Sequence, residues 1–142
     1  MGWIDMNLPT LLISTALLFT PYQYAQAEAR HDTIKEIQCL SAVIYAEARG
    51  ESKKGQLAIG YASINRAKRS SRSICKIKGV TRKTIPEKDK VRFKDITITA
   101  LRSNKHNPIA NADSWNTSKK PAHRGKVTAI ISHHVFYVMN NL

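Results

Sequence analysis

Residues 39–52 read CLSAVIYAEARGES, an apolar run that closes in a cluster of charged and small residues. The apolar positions here and just before it repeat at helical spacing, at Ile37, Leu40, Ile44 and Ala48. The pattern predicts a first helix over residues 29–48, with Asp32 or Thr33 as its N-cap. Gly50 is expected to end this helix, because glycine tolerates the left-handed backbone common at helix C-termini.

A second helix is expected directly after this turn. Ser52 is its predicted N-cap, and the helix covers residues 53–68. Its apolar stripe is made of large side chains at helical spacing, at Leu57, Tyr61 and Ile64. The basic, serine-rich stretch 66–78 is predicted to be a solvated connection and not a part of the core.

The rest of the chain predicts one more helix and a small β element. Pro86 and Glu87 are typical of a helix opening. The face expected to be buried carries Val91, Ile98 and Leu101. Residues 103–125 are predicted to be irregular, while residues 126–138 (KVTAIISHHVFYV) favour a strand or half of a hairpin. The sequence therefore predicts an α+β fold, mostly helical, with a short β element near the C-terminus.

The N-terminal segment resembles an export signal. Residues 8–20 (LPTLLISTALLFT) are apolar and uncharged, and an Ala-Gln-Ala ending follows them. This pattern predicts a signal peptide over residues 1–27, which would leave residues 28–142 as one exported domain in the periplasm or cell envelope. The region before the apolar run carries Asp5 and no Lys or Arg, so an uncleaved anchor is the alternative.

The net charge of the chain limits the classes of binding partner that are expected. The chain has 23 Lys and Arg against 10 Asp and Glu, a formal net charge of +13. Such a surface attracts polyanions: nucleic acid, anionic membrane or anionic wall polymer. The basic run 66–72 lacks interleaved aromatic residues and the chain is predicted to be exported, so nucleic acid is not expected. Membrane contact is expected only if the N-terminal segment is retained.

Two cysteines, Cys39 and Cys75, suggest a disulfide in an exported protein, worth about 3 kcal/mol. Two buried free thiols are the alternative if the chain is not exported. Two cysteines are too few for a convincing zinc site. Neighbouring His133 and His134 on one strand would point to opposite faces. No metal and no cofactor are therefore expected.

The densest polar cluster is at residues 47–51, where the first two helices meet. Glu47 falls in the last turn of an apolar helix, where the helix dipole places partial negative charge. A carboxyl group there, beside Tyr45, should hold its proton more tightly than usual, as a general acid for glycosidic bonds requires. A helix-end cluster of salt bridges among Glu47, Arg49 and Glu51 is the alternative interpretation.

Several motifs together resemble the SleB-like (spore-cortex-lytic) family of cell-wall hydrolases. They are residues 39–52, the doublet 55–56 (GQ), the pair 65–66 (NR), the element 74–75 (IC) and the terminal run 134–137 (HVFY). The resemblance implies a small lysozyme-like domain that acts on peptidoglycan glycan strands. It also implies a lytic transglycosylase that cleaves between N-acetylmuramic acid and N-acetylglucosamine, without a cofactor, with Glu47 as its single catalytic carboxylate.

Other polar and aromatic residues are candidates for substrate binding, namely Glu51, Gln56, Asn65, Trp115, His134 and Tyr137. Each has a structural alternative: support of the turn for Glu51, backbone hydrogen bonds for Gln56 and Asn65, and a core lid for Trp115. The resemblance places His134 and Tyr137 near the catalytic groove, although buried hydrogen-bonded roles suit them equally.

The chain also departs from the family pattern. A Q-F-S-W-like segment is replaced by residues 78–93 (KGVTRKTIPEKDKVRF), and residues 111–115 (NADSW) match a G-A-x-x-Y/F-like element only loosely. We therefore keep an alternative hypothesis from a second functional class, in which the protein is a basic, non-enzymatic binder of cell wall or other polyanions. A wall amidase or peptidase is disfavoured, because no credible zinc-binding set is present.

Overall fold

The computed structural model describes residues 21–103, 107–117 and 125–139. The elements in chain order are α1 (Pro21–Ala48), α2 (Lys53–Arg69), a 3₁₀ helix (Ile74–Lys76), α3 (Glu87–Arg102), β1 (Ser114–Asn116), β2 (Lys126–Ile131) and β3 (His134–Val138). The predicted α+β class, mostly helical with a C-terminal β element, is confirmed. Residues 1–20 of the predicted signal peptide lie outside the described ranges. Within those ranges, no helix has the length and apolar character needed to cross a membrane.

Helix α2 is the central element of the core. Most of its residues from Gly55 to Ala67 are buried, including many small ones. At Gly60 an added Cβ would lie 3.1 Å from the Cβ of Ala100 and 3.2 Å from Cδ1 of Ile44. Glycine there lets α1 and α3 both pack closely on α2. Of the predicted stripe only Tyr61 is fully buried, because small side chains provide most of the buried face.

Helix α1 begins at Pro21, eight residues before the predicted start, so Asp32 and Thr33 lie inside it and neither is an N-cap. Its buried face carries the expected apolar residues, with Leu40 and Ile44 fully buried and Ile37 half-buried. The early start reflects a general weakness of sequence patterns, which locate helix ends less well than helix interiors.

The turn between α1 and α2 differs from its predicted geometry. α1 does end at Ala48, but Gly79 is the only glycine of the described ranges with a positive φ, so Gly50 is not left-handed. The Glu51 N–H instead donates to the Ala48 carbonyl at 3.0 Å. Ser52 is the N-cap of α2 as predicted, and its hydroxyl accepts the Gly55 N–H.

Helix α3 opens after Pro86 as predicted, but the predicted buried face is wrong. Val91 and Leu101 are 72% and 42% exposed. The buried face consists instead of Phe93, Ile96, Thr97 and Ala100. Thr97 belongs to this face because its hydroxyl hydrogen-bonds the Ser41 hydroxyl of α1 at 2.8 Å. A pattern built on apolar residues alone misses a polar residue that is paired inside the core.

The connection from α2 to α3 is also less solvated than predicted. Ile74 and Ile77 are buried in the core. Cys75, on the 3₁₀ helix between them, forms a disulfide with Cys39 of α1, which confirms the predicted pairing. The chain then runs back along α1, where the Lys83 N–H donates to the Ala42 carbonyl at 3.4 Å.

The sheet has three antiparallel strands in the order β1-β3-β2. β2 and β3 form a full hairpin across the two-residue turn Ser132-His133, where one strand or half of a hairpin was predicted. β1 is a strand inside the segment predicted to be irregular, and it pairs Trp115 with Phe136. Three residues carry too little pattern to be recognised as a strand, since β1 is defined by its pairing to β3.

The disulfide gives a first testable prediction. A double Cys39→Ser/Cys75→Ser variant should lose about 3–4 kcal/mol of unfolding free energy, since the bond closes a 36-residue separation in the unfolded chain. Urea denaturation of both proteins measures the difference. Adding reductant should lower the midpoint of the parent and leave that of the variant in place. An unchanged parent midpoint under reduction contradicts the prediction.

Candidate active site

Glu47 occupies the last turn of α1, half-buried, with both carboxylate oxygens hydrogen-bonded. The backbone N–H of Thr81 donates to Oε1 at 2.9 Å, and the indole Nε1–H of Trp115 donates to Oε2 at 3.4 Å. Arg49 forms a salt bridge with neither Glu47 nor Glu51 in the described structure. The predicted helix-end salt-bridge cluster is therefore not what holds this carboxylate.

Trp115 extends from β1 toward the end of α1. Its ring is half-buried, and the guanidinium of Arg66 lies over it, 4.8 Å from the ring centroid. One edge of the indole thus faces Glu47 while the ring face is covered by a cation. Since β1 was not predicted, the sequence offered Trp115 only as an isolated aromatic residue in a polar stretch.

The turn after Glu47 is held by Gln56, which is fully buried. Its Nε2 donates to the carbonyls of Ala48 and Glu51, both at 3.1 Å, and to that of Arg49 at 3.4 Å. These bonds tie three carbonyls at the α1–α2 turn to one buried side chain at the start of α2. Gln56 therefore bonds the backbone, which was the structural alternative to substrate binding.

Asn65 plays a similar part further along α2. Its Nδ2 donates to the carbonyls of Ala110 and Ala112, at 3.1 and 2.8 Å. These bonds fix the chain just before β1. Asn65, like Gln56, therefore bonds backbone, which was the alternative to contact with a sugar.

Glu51 points toward the β2–β3 turn. Its Oε1 lies 3.1 Å from Nδ1 of His133 and 4.0 Å from Nδ1 of His134. Burial alone would raise the pKa of Glu51, but hydrogen bonds from His133 and Ser132, and the charges of both histidines, hold it below its ordinary value. Gly55 makes this approach possible, since an added Cβ would lie 3.0 Å from the Ser132 hydroxyl.

The two histidines differ from the prediction in one respect. His133 lies in the turn and not on a strand, and its side chain is 85% exposed. His134 starts β3, and its side chain is only 5% exposed. Both rings nevertheless approach the same carboxylate, that of Glu51, because the turn bends the chain between them. No group of three or more His, Cys, Asp or Glu within the described ranges could hold a metal ion.

His134, beside the β2–β3 turn, and Tyr137, near the other end of β3, are both buried. Nδ1 of His134 has no hydrogen-bond partner among the described residues. Burial lowers the pKa of His134 below its ordinary value, while the carboxylates of Glu51 and Glu47 oppose this shift. Tyr137 pairs with Ser114 of β1 and packs on Gly125, where an added Cβ would lie 2.4 Å from Cδ2 of the ring.

The structure thus joins the predicted residues into two neighbouring groups around the end of α1. Glu47 and Trp115 form one, and Glu51 and His134 form the other; Gln56 and Asn65 support the backbone beneath them. Thr81, Arg66 and His133 take part but were not singled out as site residues. Thr81 could not be found from the sequence, because it contributes only its backbone N–H.

The described residues also line an open, largely apolar pocket of about 530 Å³ between α1, α3 and the segment 83–85. Its walls combine isoleucines with a basic rim, as in Ile34, Ile37, Ile85, Lys83, Lys90 and Lys94. Its α1 residues lie roughly 140° from Glu47 around the helix axis, on average, at 3.6 residues per turn. This pocket is therefore distinct from the surface that surrounds Glu47.

The histidine and glutamate pair predicts a loss of stability in acid. His134 has a lowered pKa, so its stabilising contribution is complete above its ordinary value of 6.5 and declines as the pH falls below it. Glu51 also has a lowered pKa, and its contribution declines below its ordinary value of 4.5. The thermal midpoint, followed by circular dichroism, should therefore fall between about pH 7.5 and about pH 5.

A His134→Gln variant should show a shallower dependence over this range, because the buried titrating group is gone. His133→Gln is the matched control and should retain the slope of the parent, since the His133 ring is exposed. Equal slopes for the parent and His134→Gln would contradict the assignment.

Comparison with known proteins agrees with this architecture. The chain matches no protein-family model, and none of the curated proteins matches it significantly. Among solved structures, it is similar to the catalytic domain of the Bacillus cereus SleB protein, with a TM-score of 0.57 and 21% sequence identity. The similarity covers 72% of this chain and 88% of the SleB domain. The described fold is therefore that of a SleB-like catalytic domain.

Proposed function

We propose that this protein cleaves peptidoglycan glycan strands as a lytic transglycosylase, with Glu47 as its catalytic acid and base. One observation carries the proposal. Glu47 stands at the end of α1, held by one backbone N–H and one indole N–H, in a fold shared with a domain named as the catalytic domain of SleB. A carboxyl group fixed through both oxygens in this way can be aimed at one atom of a substrate.

The chemistry needs one carboxyl group. Glu47 protonates the glycosidic oxygen between N-acetylmuramic acid and N-acetylglucosamine as the bond from that oxygen to the anomeric carbon breaks. The C6 hydroxyl of the same muramic acid then attacks the anomeric carbon, and the Glu47 carboxylate accepts its proton. The product carries a 1,6-anhydro ring, and Glu47 regains its proton without consuming water.

The two hydrogen bonds suggest which oxygen carries the proton. The Thr81 N–H donates to Oε1 at the shorter distance, 2.9 Å, and so favours Oε1 as the oxygen that stays unprotonated. Oε2 is then the oxygen that bears the transferred proton, beside the indole of Trp115. The exposed part of the Trp115 ring is suited to stacking on a sugar next to the cleaved bond.

The neighbouring carboxylate favours transglycosylation over hydrolysis. A hydrolytic glycosidase ordinarily uses two carboxylates that flank the scissile bond. Glu51 is directed toward His133 and is largely buried, with 14% of its side chain exposed. We therefore assign Glu51 and His134 to support of the substrate-binding end of the site, and not to nucleophilic attack.

An extracytoplasmic location follows from this function. Peptidoglycan lies outside the cytoplasmic membrane, and a disulfide such as Cys39–Cys75 persists in oxidising compartments. We place residues 28–142 in the periplasm or cell envelope, after removal of a signal peptide at residues 1–27 or with that segment as an anchor. The net charge of +13 favours residence on anionic wall polymers.

Product analysis tests the reaction. Purified peptidoglycan sacculi are digested with the protein, and the soluble fragments are examined by mass spectrometry before and after borohydride reduction. Transglycosylation gives 1,6-anhydromuramyl ends, which resist reduction and weigh one water less than hydrolytic ends. Reducible muramic acid ends in place of anhydro ends would contradict the transglycosylase assignment while retaining a glycosidase.

A further inference from the structure

We propose that Arg66 is the positioning residue of this site, because its single guanidinium holds both chain segments that donate hydrogen bonds to Glu47. The inference rests on the proposed function and deepens it. Arg66 lies in the last turn of α2, at the start of the basic run 66–72, and its charge alone would place it in solvent. The structure instead directs it inward, half-buried, between the loop that follows the 3₁₀ helix and strand β1.

The first segment is the loop that carries Thr81. Nη1 of Arg66 donates to the carbonyls of Lys78 and Gly79, at 3.2 and 3.1 Å. The Thr81 N–H that binds Glu47 Oε1 lies only two residues beyond Gly79. Gly79 has a φ of +71°, so the chain turns sharply where Arg66 holds it. Arg66 thereby fixes the direction in which the loop approaches Glu47.

The second segment is β1 with the residue before it. Nε of Arg66 donates to the Asp113 carbonyl at 2.7 Å, and Nη2 donates to the Ser114 hydroxyl at 3.3 Å. The central carbon of the guanidinium also lies over the Trp115 ring, 4.8 Å from its centroid. Three successive residues of this segment thus contact one side chain, and the third is the donor to Glu47 Oε2.

Only arginine can serve both segments at once. A guanidinium offers five N–H donors in a fixed plane. Arg66 donates four hydrogen bonds, two to each segment. Lysine would keep the charge but present three donors from one atom, and it could not stack flat on an indole. Arg66→Lys is therefore the variant that separates geometry from charge.

The expected result is a fall in kcat of about 10- to 100-fold for Arg66→Lys on soluble glycan strands, with KM nearly unchanged, since displacing a catalytic group by an ångström has effects of this size. Arg69→Lys is the matched control. Arg69 lies one turn of α2 further on, and lysine keeps the charge that pairs with Asp113, so Arg69→Lys should leave kcat within about twofold of the parent. A fall in kcat of the same size in both variants would overturn the proposal.

A second readout does not depend on activity. The chain has two tryptophans, so a Trp3→Phe background leaves Trp115 as the single tryptophan whose fluorescence is followed. In this background Arg66→Lys should increase quenching of Trp115 by acrylamide, while the thermal midpoint stays within a few degrees of the parent. Unchanged quenching would overturn the proposal even if activity fell.

The two measurements distinguish its failure from that of the proposed function. If the parent releases no fragments from peptidoglycan, the enzymatic function is wrong. The quenching experiment then still decides whether Arg66 holds Trp115 in place. If the parent is active and Arg66→Lys retains both kcat and quenching, only the positioning role is wrong.

Discussion

A Glu47→Gln variant is expected to lose about 10²–10⁴-fold of the rate at which the parent clears purified sacculi, because general acid–base catalysis contributes on this scale. Glutamine has nearly the shape of glutamate, and its amide oxygen can still accept the hydrogen bond from the Thr81 N–H. What it lacks is a transferable proton. The fold and the binding of wall polymer should therefore both survive, which turbidity and pull-down assays on the same preparation can show.

The matched control is Glu87→Gln, which makes the same exchange at an exposed position of α3, where the carboxylate forms an ion pair with Lys90. This variant should clear sacculi at the rate of the parent. If Glu47→Gln also clears them at the parental rate, Glu47 is not the catalytic group. If neither the parent nor the variants clear them but all bind, the non-enzymatic polyanion binder becomes the better description.

An Asp113→Ala variant should lose about 3–5 kcal/mol of unfolding free energy, the usual cost of removing one partner from a buried ion pair. Asp113 is 1% exposed, at the start of the segment that leads into β1. Its carboxylate contacts the guanidinium of Arg69 and accepts hydrogen bonds from the Ser114 hydroxyl and the Met139 N–H. Without this carboxylate, the Arg69 guanidinium has no ion-pair partner there, and the two donors lose their acceptor.

Urea denaturation followed by circular dichroism measures this loss. Asp95→Ala, the same exchange on the exposed side of α3, is the control and should change stability by about 0.5 kcal/mol or less. Asp113→Asn should fall between the two, since the amide keeps an acceptor but loses the charge. A loss below about 1 kcal/mol for Asp113→Ala would show that water hydrates the Arg69 guanidinium in the variant and that the ion pair contributes little to stability.

Local features of the fold could be predicted from the sequence, while features made by distant contacts could not. Ser52 as an N-cap, the end of α1 at Ala48 and the position of Glu47 in its last turn follow from neighbouring residues. The wrong face of α3 arose because Val91 is as apolar as Phe93, and only packing against α1 decides which of them is buried.

The same division applies to the candidate site. The motif located Glu47, but its hydrogen-bond partners lie 34 and 68 residues away in the chain. Thr81 contributes a backbone group that any residue except proline could provide, so its identity carries no signal. Trp115 depends on β1, which exists because β3 pairs with it. These contacts are properties of the assembled fold and have no local pattern.

Cys75, which is bonded to Cys39 of α1, lies six residues before Thr81, on the segment that donates a hydrogen bond to Glu47. The redox state of the surroundings therefore bears on the orientation of the Glu47 carboxylate, the proposed catalytic group. A newly made chain in a reducing cytoplasm would lack this tether, and its Thr81 loop would be less restrained. Under the proposed function, we expect such a chain to have low activity until the disulfide forms in an oxidising compartment, where the proposed substrate also lies.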